Sequence, residues 1–360
     1  MKNKKILEVC LSPGLGGLEM FVASCYEAFS KRTLCKVVVA PQTKLDKYLE
    51  IEDKYHIKRS KLFSFFPAWK LAKYIDENEI DIIHFHWTRD MITVILAKLF
   101  SKKKPKVVQS RHMGMTRFKD DLYHKYMYKN IDMMHAVTKR VKQELQKFIP
   151  EDVRPKIEMI YLGVEIPKVD EKKVETLQKK YNFQDTFVVG IIGRIEEGKG
   201  QHLLVDVLSK LDADIKALIV GDVMDENYLT GIKAKVRKEN LSKRIVFSGF
   251  TKEVNEHMQL CDILVLATKN ETFGLVVIEA MANKVAVIAT NNGGPLEIID
   301  DQKNGVLFDG TSADLAKKIA SLYNDRELAH SIAKAGYEKV QKQFEKTKQL
   351  TELYNVFEKI

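Results

Sequence analysis

The strongest constraint on this chain is a rhythm that stops and restarts. Short β-branched runs alternate with helix-length stretches. In the first half the runs are KILEVCL (5–11), CKVVVA (35–40), IDIIHFH (80–86), PKVVQS (105–110) and MMHAVT (133–138), with helical patterns over 17–30, 68–78, 88–100, 120–131 and 138–148. In the second half they are FVVGIIG (187–193), DIKALIVG (214–221), RIVFSG (244–249), DILVLAT (262–268), VAVIAT (285–290) and NGVLFD (304–309). Helical patterns there cover 199–210, 226–239, 252–260, 274–283 and 294–299, then 312–324 and 326–342. Nearly continuous apolar strands separated by helices predict parallel sheets covered on both faces.

The break lies at about 150–185, where PEDVRP and YLGVEIPKVDEKKVE bring prolines, a glycine and mixed charge, a linker composition. The expected fold class is therefore α/β, with two doubly wound Rossmann-like domains over residues 1–165 and 166–340. A last helix, read at 340–358, makes residues 341–360 a separate tail. Two such domains facing each other form a cleft between the C-terminal ends of their sheets, where ligands bind in this architecture. The halves are not a sequence repeat. They share one device: DIIHFHW (81–87) and DILVLAT (262–268) both open an apolar strand with Asp.

Composition narrows the class. At 360 residues, 45% hydrophobic and 30% charged, the chain suits a soluble globular protein with two cores. Cys10, Cys25, Cys35 and Cys261 form no paired motif, which points to a reducing, cytoplasmic setting. The basic start MKNKK leads into an apolar run that is interrupted by Glu8, too short and charged for a signal peptide. No apolar window is long enough for a membrane span. The net charge of +10 is concentrated: residues 98–147 hold 14 Lys/Arg against four Asp/Glu. A solvated helical face, an anionic membrane surface or an anionic acceptor each fit this segment. Nucleic acid ranks last, because Tyr123, Tyr126 and Tyr128 recur at helical rather than strand spacing and no recognition motif accompanies them.

Four loops carry candidate chemistry. SPGLGGLEMF (12–21) follows the first strand and opens a helix; its glycines let backbone approach a ligand and the helix start offers N–H groups to an anion. It is not the dinucleotide fingerprint, because Glu19 replaces the third glycine. A plain tight turn fits it too. IIGRIEEGKGQHLL (191–204) sets Arg194 and Lys199 across a short loop before a helix, a pair suited to a diphosphate or, equally, a solvated loop. VVQSRHMG (107–114) puts His112 just past a strand, where it can donate to sugar hydroxyls, stabilise developing charge or serve only structure. His84 and His86 share a strand face at metal-ligand spacing, with no Cys, Asp or Glu nearby in sequence to complete a set.

The fourth loop is ETFGLVVIEA (271–280). Glu271 falls in a loop and Glu279 more than a turn inside a helix that starts near Gly274, so they are not a paired-carboxylate arrangement. The TFGL segment aims backbone N–H groups at a phosphate or sugar oxygen.

These loops in this order resemble retaining glycosyltransferases of the GT-B fold, specifically glycosyltransferase family 4 (glycosyl transferases group 1), as found in bacterial lipopolysaccharide and cell-surface glycan synthesis. The resemblance rests on Gly16-Gly17-Leu18-Glu19, Ser110-Arg111-His112, GRIEEGKG, the Glu271-to-Glu279 spacing around FGL, and NNGGPLEII. It implies that Glu279 bonds the donor's ribose hydroxyls and Glu271 faces the transferred sugar. Arg194 and Lys199 would neutralise the departing diphosphate. The N–H groups of Phe273, Gly274 and Leu275, with the Gly16–Gly17 loop, would cradle sugar and phosphate, and His112 would contact the sugar near the reacting carbon. It further implies that the last helix crosses back to brace the first domain, and that no metal or other cofactor is needed, since Arg and Lys replace the cation. The implied activity is sugar transfer from a nucleotide-diphosphate donor, UDP favoured, to a glycan or lipid-linked acceptor, with the enzyme cytoplasmic and possible peripheral contact with the inner face of the membrane through 98–147. An epimerase of the same fold and a non-catalytic nucleotide-sugar or anionic-lipid binding protein are the alternatives. The family linker Asn-Gly-Val/Ile-Asp is replaced by Leu162-Gly163-Val164-Glu165.

Overall fold

The computed structural model describes residues 3–59 and 64–360. It divides into two packed units, 1–162 with 347–360, and 163–346. Among the described residues, the first unit holds a parallel sheet of strands β1 (Ile6–Cys10), β2 (Cys35–Val39), β3 (Lys54–His56), β4 (Ile82–Phe85), β5 (Lys106–Arg111), β6 (Met133–Ala136) and β7 (Lys156–Met159), in the order 3-2-1-4-5-6-7. The second holds β8 (Phe187–Ile192), β9 (Ile215–Val220), β10 (Ile245–Gly249), β11 (Ile263–Leu266), β12 (Ala286–Thr290) and β13 (Val306–Phe308), in the order 10-9-8-11-12-13. Each sheet grows outward in both directions from a central pair, β1/β4 or β8/β11. Right-handed crossovers then put helices on both faces, and the loops after the central pair diverge. That divergence is the switch point where doubly wound sheets receive ligands.

The repeated aspartate has a job. Asp81, just before β4, accepts the Lys5 N–H at 2.9 Å, and Asp262, just before β11, accepts the Val188 N–H at 2.7 Å. Asp132, before β6, does the same for Val107 at 2.9 Å. In each case a carboxylate satisfies an amide at the start of the neighbouring strand, where the ladder has no carbonyl to offer.

The edges depart from expectation. β3 and β7, and helices Lys44–Tyr48 and Glu171–Tyr181, have no counterpart in the hydrophobic rhythm. β3 and β7 lie at sheet edges with half-exposed side chains, and the Glu171–Tyr181 helix buries only Leu177. Little apolar surface marks such elements in sequence. The 150–185 stretch is thus largely structured rather than linker.

The unit boundaries also move, from 165/166 and 340/341 to 162/163 and 346/347. Helix Arg326–Gln343 stays with the second unit because Val340 and Phe344 are buried there, and the next helix, Lys346–Glu358, is separate. Backbone fixes the new boundary: the Val164 N–H donates to Phe344 at 2.9 Å and the Lys346 N–H to Val164 at 3.0 Å. A Cβ on Gly163 would lie 2.7 Å from the Lys346 Cα, so glycine is required at this crossing.

The final helix completes the first unit's core. Phe357 is fully buried, with its ring 5.6 Å from that of Phe29 and 4.9 Å from that of His84. Replacing it with alanine removes this packing and opens a cavity. Phe357→Ala is expected to lower stability by about 3–5 kcal/mol. Urea unfolding followed by circular dichroism checks this; a midpoint equal to wild type contradicts the packing.

Candidate active site

The first unit contributes the loop after β1. The Gly16 N–H donates to Glu19 Oε2 at 2.8 Å, the Ser12 hydroxyl donates to Glu19 Oε1, and the Gly14 N–H donates to Ser12 Oγ at 3.3 Å. Glu19 therefore holds the loop's shape from the first turn of helix Gly17–Ser30, in the manner of a capping box. Gly16 is extended (φ −152°), and a Cβ on Gly14 or Gly16 would meet nothing closer than 3.5 Å. The fold does not itself demand glycine there; the missing side chains leave room that the protein does not use.

His112 directly follows β5 and is half-buried. Its Nε2 lies 3.3 Å from His86 Nδ1, and the Phe21 ring meets it edge-on at 5.3 Å. Burial, with His135, His84 and Arg111 nearby, pushes its pKa well below the usual histidine value. Sequence spacing finds no carboxylate for His84 and His86; the parallel register supplies one. Glu8 on β1 stands opposite His84 on β4, and its two oxygens lie 2.9 Å from His84 Nδ1 and 2.7 Å from His86 Nε2. Glu8, Cys25 and His84 are close enough to hold a metal ion, but the carboxylate and both His84 nitrogens are already engaged by hydrogen bonds.

In the second unit the loop after β8 is shaped by two backbone contacts. Gly193 has φ +153°, and a Cβ on Gly221 would overlap its carbonyl oxygen at 1.8 Å. Ile195 is buried and anchors the loop from below, and Gln201 Nε2 donates to the Arg194 carbonyl at 2.8 Å. The Arg194 side chain is left exposed, 2.9 Å from Glu196, and the Lys199 ammonium sits 3.2 Å from Glu271 Oε2. Gly200 (φ +74°) passes so close to β11's exit that a Cβ would lie 2.6 Å from the Ala267 carbonyl oxygen.

The 268–274 loop is held in turn by the segment after β12. Thr290 Oγ1 donates to the Thr268 carbonyl at 2.9 Å, Asn292 Nδ2 to that of Lys269 at 2.5 Å, and the Gly294 N–H to that of Glu271 at 3.0 Å. A Cβ on Gly294 would lie 2.2 Å from the Phe273 carbonyl oxygen. Gly294 in NNGGP thus clamps the loop that carries Glu271, a role that sequence reasoning left unassigned. Phe273 is buried against Phe344, so only its backbone is available to a ligand. Gly274 (φ +97°) turns the backbone into helix Leu275–Ala282, whose first amides face outward from the helix start.

Glu279 lies in the second turn of that helix. Among the described residues its carboxylate has no hydrogen-bond or ion-pair partner, and burial raises its pKa to about 7. Arg194, Lys199, Glu271, Phe273, Gly274, Leu275 and Glu279 are thus brought to the exits of the central strands β8 and β11. Gly16, Gly17 and His112 lie at the exits of β1 and β5. An Asp-x-Asp triplet, Asp212–Asp214, lies at the opposite, N-terminal end of the strands, before β9, where Asp212 accepts the Asp214 N–H at 3.0 Å and forms a turn.

The basic 98–147 segment is partly engaged in structure. Lys98 and Lys106 both pair with Asp132, at 2.6 and 2.9 Å, and Arg140 pairs with Glu144 at 2.9 Å. Helix Leu122–Lys129 instead exposes Leu122, Tyr123 and Tyr126 beside Lys125 and Lys129. Among the described residues no helix is long and apolar enough to cross a membrane.

Comparison with known proteins agrees with this arrangement. Residues 15–167 match the family model of Glycosyltransferase Family 4, and residues 173–339 that of Glycosyl transferases group 1. An uncharacterised glycosyltransferase of Methanocaldococcus jannaschii is 29% identical, over 79% of this chain and 77% of its own. The N-acetylgalactosamine-N,N'-diacetylbacillosaminyl-diphospho-undecaprenol 4-alpha-N-acetylgalactosaminyltransferase of Campylobacter jejuni is 25% identical, over 68% of this chain and 67% of its own. The Anabaena protein HepE, crystallised with UDP and glucose, superposes with a TM-score of 0.87 at 20% identity, covering 99% of this chain and 100% of that one. Two doubly wound parallel sheets, a glycine loop after β1, and cations with backbone amides at the exits of β8 and β11 join a family match over both halves: the chain is a glycosyltransferase of the GT-B fold, belonging to the family 4, group 1 glycosyltransferases.

Proposed function

We propose that this enzyme transfers a sugar, with retention of anomeric configuration and without a metal ion, from a UDP-sugar to a hydroxyl of a glycan or lipid-linked acceptor in cell-surface polysaccharide or lipopolysaccharide synthesis. The observation that carries the proposal is the set at the β8 and β11 exits: Arg194 and Lys199 beside the helix start at Gly274 and Leu275, with Glu271 bound to Lys199. In transfer, the bond from the anomeric carbon to the diphosphate oxygen breaks and a bond to the acceptor oxygen forms. The acceptor's proton leaves with the diphosphate or to solvent. Negative charge therefore grows on the diphosphate, and fixed cations and amide dipoles lower the barrier because they need no reorganisation when it appears.

Roles follow from position. Arg194 is exposed and, among the described residues, its side chain is held by Glu196 alone, so it can exchange that carboxylate for a phosphate. Lys199 is held closer in, and its pairing keeps Glu271 oriented until a sugar hydroxyl replaces part of the contact. Glu279 gains the hydrogen-bond donors it lacks from ribose hydroxyls. The donor class draws support from the Anabaena protein, which was crystallised with UDP and glucose, and the acceptor class from the relative whose name specifies a diphospho-undecaprenol substrate. Family resemblance supports retention, and product NMR of the new linkage against the donor's anomeric configuration tests it.

Arg194→Ala and Lys199→Ala should each lose about 2–4 kcal/mol of barrier lowering, read as a fall of about 30- to 1000-fold in kcat/KM for UDP-sugar turnover. EDTA should leave wild-type turnover unchanged. Wild-type rates in both variants would sink the assigned roles.

Glu279 gives a pH test. With a pKa of about 7 in the ligand-free protein, its carboxyl is protonated at lower pH, where one oxygen becomes a donor, and must ionise for both oxygens to accept ribose hydroxyls. UDP affinity is therefore full above that value and falls as pH drops, by up to about tenfold per unit. Calorimetric titration with UDP at several pH values should show this slope in wild type and a shallower one in Glu279→Gln. Equal slopes would remove Glu279 from the binding event.

Membrane contact is part of the proposal. The exposed aromatic and basic side chains of Leu122–Lys129 suit an anionic surface. Binding to vesicles containing phosphatidylglycerol should weaken with rising salt; no binding at low salt would refute it.

A further inference from the structure

Beneath His112 the first unit buries an unusual set of polar side chains. Glu8 on β1, His84 on β4 and His86 just past it, Ser110 on β5 and His135 on β6 are all essentially inaccessible, in the middle of a sheet whose other buried side chains are apolar apart from Gln109. They form one connected path. The His135 Nε2 lies 2.7 Å from the Ile160 carbonyl, and its Nδ1 2.7 Å from Ser110 Oγ. Ser110 Oγ lies 2.7 Å from His84 Nε2, and His84 Nδ1 2.9 Å from Glu8 Oε1. Glu8 Oε2 lies 2.7 Å from His86 Nε2, and His86 Nδ1 3.3 Å from His112 Nε2.

The end of the path sets its direction. A carbonyl only accepts, so His135 carries its proton on Nε2 and presents a bare Nδ1. Ser110 has one proton and must donate it to that nitrogen, so it accepts from the Nε2–H of His84. One proton then lies between His84 Nδ1 and Glu8. Wherever it sits, Glu8 Oε2 is an acceptor and His86 donates to it from Nε2. His86 is left with a bare Nδ1, which accepts from Nε2–H of His112. Each link leaves a single choice for the next.

We infer that this buried Ile160–His135–Ser110–His84–Glu8–His86 path is a positioning device that fixes His112 as the neutral Nε2–H tautomer, leaving its Nδ1 able only to accept a hydrogen bond, as from a hydroxyl of the sugar. This rests on the reading above that His112 meets the transferred sugar, and it sharpens it, since a histidine so fixed does not donate from Nδ1. The packing around the path favours uncharged members. Phe21 covers His86, His112 and His135 at ring distances of 5.7, 5.3 and 5.8 Å, and Phe357 covers His84 at 4.9 Å. Among the described residues, other titratable or charged groups near the path are Cys25, from helix Gly17–Ser30, Cys10 and Cys35, from β1 and β2, whose thiols are raised by burial and by Glu8, and Arg111, from β5. Burial raises the Glu8 pKa and lowers His86 to about 3 and His135 to about 4, which agrees with a neutral Glu8 donating to a neutral His84.

Glutamine has the shape and hydrogen-bond pattern of a protonated glutamate, donating from one end and accepting at the other. Glu8→Gln should therefore preserve the path, and Glu8→Leu should cut it. The test is long-range nitrogen–proton NMR of the full-length protein with 15N-labelled histidine rings, with His112 assigned by its loss in His112→Asn. The expected result is a neutral Nε2–H His112 between about pH 6 and 8 in wild type and Glu8→Gln, and mixed tautomers in Glu8→Leu. UDP-sugar kcat/KM should stay within about threefold for Glu8→Gln and fall about 100-fold for Glu8→Leu. An Nδ1–H or charged His112 in wild type overturns the inference, and needs no variant to fold. An unchanged tautomer in folded Glu8→Leu also overturns it. The expected tautomers together with normal turnover in His112→Asn support the path and overturn only the role given to His112 in transfer.

Discussion

A parallel sheet covered on both faces leaves no wet surface for a polar side chain, so chemistry is confined to strand exits unless buried polar groups satisfy one another. Both sheets here obey this. In the second unit the core around β8, β9, β11 and β12 is apolar, and every candidate functional group lies in a loop or within the first two turns of a helix beyond a strand's C-terminal end. In the first unit the rule is broken on β5 by Gln109, whose buried amide has no hydrogen-bond partner among the described residues, and on β1 by Glu8, where the break is tolerated because both carboxylate oxygens find a partner. The histidines are then not independent features. They answer the cost of one buried carboxyl, and among the described residues their outlet is His112.

The same constraint explains how the second site is shaped. With side chains excluded from the sheet interior, precision comes from backbone meeting backbone. Gly200 against Ala267, Gly221 against Gly193 and Gly294 against Phe273 are three places where a methyl group has no room. They fix the loops after β8, β9, β11 and β12 against one another, and so fix the Lys199–Glu271 pair. Preorganisation of this kind matters more for transfer than the strength of any one contact, because cations already in position have no rearrangement to complete as the diphosphate gains charge.

Much of this is legible in sequence, for reasons that also mark the limit. Fully buried strands announce themselves as apolar runs, so the core strands of both sheets and the helices Gly17–Ser30 and Ser312–Asn324 are readable. β3, β7 and the Glu171–Tyr181 helix bury too little to leave a pattern. The aspartates before β4 and β11 are visible, but their purpose is not, because their partners lie some 75 residues away in sequence. Site loops are legible as glycines and cations between strand and helix. The Lys199–Glu271 pair and the Gly294 clamp are not, since each joins loops from different strands.

The buried path shows where the two kinds of information meet. Glu8, His84, Ser110 and His135 each stand out locally as a polar residue inside an apolar run. Read singly, a histidine in a strand suggests a ligand or a satisfied core group, and nothing in its own segment decides between them. Register decides. Glu8 is level with His84, and Ser110 with His135, so four isolated anomalies become a row across β1, β4, β5 and β6. A row of hydrogen bonds that ends on a backbone carbonyl has one direction, and direction is information that can be carried to the surface without moving an atom. The polarity of the Ile160 carbonyl is in this way read out at His112, five side chains away.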